Sequence, residues 1–258
     1  MRISALILAV GIVALGAPAF AARAPAAPGA PPNVLDPANL AKPRPKAPFD
    51  LTGTWRMVRD PANGGFEFMP VPKFTAAAQA SVDARDKALA EGKTYKDDTA
   101  SCYPAGMPRF MTRVWPIQFI QLPTMVLVIQ GLENKVRWIY TDGRKRTPPD
   151  DVIPSFNGES LGRWEGAEFV VETTGFRAAN HWMQQGVPVS DQLKIVERFR
   201  MLPGGNAFEV KFTFTDPVNW VGEWTNTKRY ERTADEVQEN ECLLAEMMKL
   251  PSYDAVVR

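Results

Sequence analysis

Apolar and polar residues alternate with a period of two through much of this chain, the pattern of half-buried strands. The run from Ala207 to Thr215 is the clearest. Phe208, Val210, Phe212 and Phe214 share one face, and Glu209, Lys211 and Thr213 share the other. Lys135 to Thr141 sets Val136, Trp138 and Tyr140 against Arg137, Ile139 and Thr141. Asn157 to Phe176 is the densest strand-turn-strand signal: Leu161–Trp164, a turn at Glu165-Gly166, then the β-branched run Phe169–Thr174. Further strands are predicted at Leu51–Trp55, Met125–Gln130, Leu193–Leu202 and Trp220–Tyr230. Phe110–Gln121 reads as another, interrupted at Pro116 as an edge or bulge would be.

Helical spacing occurs twice. Thr75 to Glu91 is rich in Ala, Gln, Lys and Arg, with Thr75 able to cap its start and Gly92 following its end. Its apolar stripe, Val82 and Leu89, is narrow, as suits a lid on a sheet. Glu236 to Leu250 carries Val237, Leu244, Met247 and Met248 at helical intervals. The prediction is a mainly β fold. It is an antiparallel, lipocalin-like barrel of roughly eight strands with an N-terminal and a C-terminal helix, closed so that no edge is exposed. A two-sheet sandwich is the alternative. Gly53-Thr54-Trp55 is similar to the Gly-x-Trp that opens lipocalin-type barrels.

The amino terminus adds a compartment. Met1-Arg2, the uncharged apolar run Ile3–Leu15 and Ala19-Phe20-Ala21 form a signal peptide over residues 1–21. Eight prolines between Arg23 and Pro48 mark residues 22–48 as an extended linker. Residues 49–258 then form one β-rich domain. Removing Arg2 with the signal takes the totals of 30 basic and 29 acidic residues to 29 and 29. A neutral chain has no general attraction for nucleic acid or anionic membrane. The expected product is periplasmic or secreted, with no stable membrane insertion after cleavage.

In an oxidising compartment the two cysteines, Cys102 and Cys242, are expected to be bridged. Such a bridge closes a loop of about 140 residues, worth near 5 kcal/mol in the chain-entropy model.

Several segments together carry a resemblance. Cys102-Tyr103-Pro104-Ala105-Gly106-Met107-Pro108-Arg109 fits C-x-P-x-G-x-P-R, and Thr141-Asp142-Gly143-Arg144 and Gly162-Arg163-Trp164-Glu165-Gly166 follow it. Val196-Glu197-Arg198-Phe199 and the Glu239–Cys242 segment complete the set. From Phe74 to Cys242 the chain resembles a large family of exported bacterial β-rich proteins. The resemblance implies export and fold, and no reaction. Relatives in that family carry His-Pro-His where this chain has Val187-Pro188-Val189.

Chemistry-bearing residues are sparse. His181 is the one histidine, in Asn180-His181-Trp182. It reads either as a loop histidine bonded to backbone or as a general acid or base with Asp191 or another carboxylate. No zinc spacing exists, so no metal and no cofactor are expected. Arg109, Arg144 and Arg163 sit beside glycine, proline or tryptophan. They either recognise carboxylates and phosphates or tie turns to the barrel rim. Asp150-Asp151 reads as a solvated loop, with too few oxygen ligands nearby for calcium. Trp138, Trp164, Trp220 and Trp224 are core or cavity-lining. The expected site gathers Arg109, Arg144 and His181 at one barrel mouth, with Trp164 or Trp182 as its apolar wall.

Three functions fit. The first is a binder of a small, partly apolar molecule held in a barrel cavity. The second is a periplasmic isomerase, lyase or hydrolase acting on such a molecule. The third is an envelope interaction protein with a filled core.

Overall fold

A computed structural model describes residues 33–93 and 98–243. The signal peptide over 1–21 and the first part of the linker lie outside them. Eleven strands occur in chain order: β1 (Gly53–Met57), β2 (Ile117–Gln121), β3 (Met125–Gln130), β4 (Val136–Tyr140), β5 (Glu159–Glu165), β6 (Glu168–Thr174), β7 (Trp182–Gln184), β8 (Val187–Pro188), β9 (Lys194–Met201), β10 (Ala207–Thr215) and β11 (Trp224–Arg232). Nine of them close a barrel in the order β1-β11-β10-β9-β6-β5-β4-β3-β2, and β7 and β8 form a separate small hairpin. The sheet is therefore one closed barrel and not a sandwich.

The pairing departs from expectation at one place. All neighbours are antiparallel except β4 and β5, which run parallel with Ile139 opposite Ser160. Parallel neighbours cannot be joined by a tight turn and need a long crossover. Residues 141–158 supply it. They leave β4 at one mouth and return along the outside of the wall to start β5 near the other.

Inside, the lumen is filled. Trp55, Phe119, Phe199, Phe208 and Tyr230 are fully buried. Their rings interlock edge-on or stacked, as between Trp55 and Phe208 at 4.7 Å and Phe208 and Tyr230 at 4.8 Å. Amid this apolar packing lies one buried ion pair. Arg137 on β4 meets Glu197 on β9 in a two-pronged contact, with Nη1 donating to Oε1 at 2.9 Å. Its Nε donates to Ser160 Oγ of β5 at 3.1 Å and its Nη2 to Thr173 Oγ1 of β6 at 2.9 Å. This inverts the natural reading of β4. Arg137 and Ile139 face inward, while Val136 and Trp138 face out and are 38% and 45% exposed.

The mouth where β2, β5 and β9 begin is plugged. Arg109–Met111 is a short 3-10 turn, where the sequence predicted the start of a strand reaching Gln121. It docks through Gln130 Nε2 to Phe110 O at 2.7 Å and Tyr230 OH to Met111 O at 2.9 Å. The chain folds inward here to close the barrel, so Pro116 precedes the strand and does not interrupt it.

Two α-helices are present among the described residues. α1 (Pro37–Leu40) is one turn, capped by Asp36. α2 (Ala76–Ala90) is capped by Thr75 as predicted. Ala78 and Val82 are its buried face, whereas Leu89 is 48% exposed. Thr75 Oγ1 donates to Val218 O, and Arg85 reaches the β7–β8 turn through Gln185 O. Gly186, at φ +78, lies where a Cβ would collide with Arg85.

From Asn33 onward the proline-rich segment is docked and is not a spacer. Val34 is buried and its carbonyl accepts Thr124 Oγ1 at 2.7 Å. Arg44 holds Asn39 Oδ1 and the Asp142 carbonyl. At the far end no helix forms over residues 236–243, and 244–250 lie outside the described residues. Here Val237 is the one apolar position of the predicted stripe, too little to bury a helix. The chain runs extended past the β3–β4 turn, where Asn134 Nδ2 donates to Gln238 O, to the Cys102–Cys242 bridge. The Cα atoms of that bridge are 5.5 Å apart, across 140 residues of chain.

The buried pair gives a direct test. Arg137→Met leaves Glu197 unpaired in an apolar lumen and is expected to cost about 3–5 kcal/mol in urea unfolding. Arg137→Met with Glu197→Leu is expected to recover most of that loss, because the penalty lies in the orphaned charge.

Candidate functional site

The residues predicted to converge separate into two places. Arg109 and His181 lie together at the plugged mouth. Arg144 lies at the start of the crossover, beyond the other end of β4. The single-mouth arrangement is therefore corrected: the crossover, not the barrel rim, carries Arg144.

His181 is 2% exposed. Its Nδ1 lies 2.9 Å from Arg177 O and its Nε2 2.8 Å from Met107 O. Gly106, at φ +64, packs against the ring so closely that a Cβ would come within 2.4 Å of Nε2. Met107 N in turn donates to Phe156 O at 2.9 Å. The C-x-P-x-G-x-P-R segment is thus a loop wrapped on one imidazole, with Phe156 and Phe176 packed on the ring at 5.4 and 5.9 Å. Burial pulls the His181 pKa down to about 4, aided by the nearby Arg109 charge and opposed by the two carbonyls. The ring is neutral at pH 7 and donates to only one of its two carbonyl neighbours. Asp191, the carboxylate nearest in sequence, is exposed, and backbone oxygens take the positions an orienting carboxylate would need.

Arg109 is 6% exposed, and its charge acts on both Glu67 and His181. Burial raises the Glu67 pKa against that charge and those of Arg113 and Arg85. Trp182, on β7, donates its indole N–H to Asp98 in the segment leading to Cys102. Trp164 points into the other mouth, packed on Phe49 and Phe169 at 4.8 and 4.9 Å. There it lines a cleft of about 270 Å³ beneath Arg44, Pro45 and Ala47. Arg163 lies outside the wall, joined to Glu165 and Glu172. Trp220 and Trp224 are core, edge-to-face at 5.4 Å.

A groove of about 540 Å³ lies on the outside of the barrel. The outward residues of β4 (Val136, Trp138 and Tyr140) form one wall, and the crossover, including Arg144, Asp151, Ile153 and Phe156, forms the other. Arg144 closes one end. Its guanidinium forks onto Asp142, with Nε to Oδ1 at 3.0 Å and Nη2 to Oδ2 at 2.8 Å, and stacks 3.9 Å from the Tyr140 ring. Asp142 is held below the usual carboxylate range, since the Arg144 hydrogen bonds outweigh its partial burial. Glu159 anchors the crossover by accepting Thr147 N and Thr147 Oγ1. Phe156 links the two places, lining the groove while packing on His181. Asp151, read as a solvated loop residue, is part of this lining. The groove escaped sequence reasoning because a tryptophan in an alternating strand is expected inward. The available signal was the long polar gap between β4 and β5, with no tight turn in it.

Among the described residues, no group of histidine, cysteine or carboxylate side chains could hold a metal ion. No helix among them is long and apolar enough to cross a membrane. No protein-family model matches the chain, and no curated protein matches it significantly.

The histidine makes a pH prediction. Its ordinary pKa of 6.5 applies in the unfolded chain, and about 4 applies in the fold. Between those values the unfolded state binds more protons, so stability falls as pH falls, by up to about 3 kcal/mol. His181→Gln is expected to flatten this part of the curve, read from urea unfolding at pH 4 to 7. An unchanged acid slope in the variant would contradict the assignment.

Proposed function

We propose that this chain is an exported, soluble protein that binds a small, partly apolar molecule in the outer groove between β4 and the crossover. The carrying observation is Trp138. A large aromatic side chain is left 45% exposed on the wall of a cavity whose volume suits a small ligand. Ile153, 89% exposed on the opposite wall, adds apolar surface that the fold itself does not use. The lumen, by contrast, is packed with buried aromatic rings. The leader-like Ile3–Leu15 run, the cysteine bridge and the similarity to exported bacterial proteins support a periplasmic or secreted location.

Catalysis by His181 is the weaker reading. Its ring is buried against main-chain oxygens, which supports a bolt between two loops and gives no open path to a substrate.

A thermal-shift screen against aromatic, terpenoid and sugar-acid compounds tests the proposal. A ligand at one hundred times its Kd stabilises by about 2.7 kcal/mol, or roughly 5–10 °C for a body of this size. Trp138→Ala is expected to abolish the shift while leaving the unliganded Tm within about 2 °C, since the ring is 45% exposed and packs on no other ring among the described residues. A shift that survives Trp138→Ala would put the ligand elsewhere.

A further inference from the structure

Donors and acceptors both line the groove, among them the charged side chains of Lys135, Arg144, Asp151 and Glu159. Asp151 contributes to its wall, and its carboxylate has no hydrogen-bond or ion-pair partner among the described residues. Asn157 also lines it. Its Nδ2 donates to Val136 O at 3.2 Å, which fixes the amide's orientation, and its Oδ1 is left buried with no donor.

The charges facing the groove are unequal in availability. Arg144 is committed to Asp142 on one side and to the Tyr140 ring on the other. Lys135 stands 3.8 Å from Glu133. Glu159 is taken by Thr147 and Arg146. Asp151 is the lining charge without a counterpart among the described residues.

The aromatic lining shows the same preference. Tyr140 carries the Arg144 cation at 3.9 Å, and Phe156 carries the Arg177 cation at 5.5 Å. Trp138, the ring with the strongest attraction for a cation, has neither a cation nor another ring against it among the described residues. An electron-rich face and a carboxylate without a partner among the described residues line one cavity, beside the apolar surface of Val136 and Ile153.

We infer that the ligand of this groove is a protonated amine carrying an apolar body. The ammonium lies toward Asp151 and the Trp138 face, and the body lies along Val136 and Ile153. This inference rests on the groove being the binding site.

Three probes of one shape and different charge separate the two claims: phenethylamine, 2-phenylethanol and 3-phenylpropanoate, titrated calorimetrically at pH 7 into the full chain. The amine is expected to bind at least tenfold more tightly than the alcohol, and the propanoate more weakly still. Asp151→Asn is expected to bring the amine to the alcohol's affinity and leave the alcohol unchanged. Asp151 is exposed, so this variant folds as the parent does. Equal or tighter binding of the alcohol or propanoate, still lost in Trp138→Ala, would overturn the amine and keep the groove. Binding of none of the three, or binding that Trp138→Ala does not weaken, would overturn both.

Discussion

The buried Arg137–Glu197 pair is the contact on which the rest of this barrel turns. Through Ser160 and Thr173 it joins four successive strands, β4, β5, β6 and β9, across the lumen. A guanidinium in that setting is tolerated because its donors meet two carboxylate oxygens and two hydroxyls. The cost of separating it is the reason the register of β4 is fixed. Slipping β4 by one residue would put Arg137 in solvent and leave Glu197 alone in an apolar lumen. With Arg137 inward, parity sends Val136, Trp138 and Tyr140 outward. The exposed aromatic wall is thus a by-product of the polar core.

The parallel placement of β5 beside β4 completes the groove. An antiparallel partner would have been reached by a hairpin and left β4's outer face bare. The crossover instead returns over that face, anchored at one end by Arg144 on Asp142 and Tyr140 and at the other by Asn157 and Phe156. Phe156 then rests on His181, so the groove's floor is tied to the loop that the disulfide holds. The histidine's role follows from where its nitrogens point. Both face main-chain oxygens, those of Arg177 and Met107, and the neutral ring donates to one of them.

Much of the fold was legible in the sequence. β10 was placed to the residue because Phe208, Val210, Phe212 and Phe214 alternate without interruption. α2 was placed almost as well, by Thr75 and Gly92. The hairpin at Gly166 was also clear, though its two central residues are Gly166 and Ala167. Period-two patterning cannot say which parity faces in when both carry large side chains. In β4 the usual preference for buried tryptophan lost to an ion pair whose partner lies 60 residues away. That partner, Glu197, sat in a segment noted only for the resemblance it carries, with nothing local to name its mate. The parallel pairing was equally invisible, because strand order is a property of the closed sheet. Leu89 and the 236–243 part of the predicted C-terminal helix show the opposite error: helical periodicity is real only where something covers the apolar face.

The bridge between Cys102 and Cys242 sets a topological limit. It makes a covalent ring that contains every barrel strand from β2 to β11 and leaves out β1 alone. β1 is also the stave that closes the barrel, seated between β11 and β2. While the bridge is intact, β1 is the barrel strand that can be withdrawn as a free end and offered to a second molecule. The other eight are looped and cannot be threaded out singly. Strand exchange between copies of this protein is therefore confined to its first strand, and the exchanged form would be a dimer reciprocally closed by two copies of Gly53–Met57.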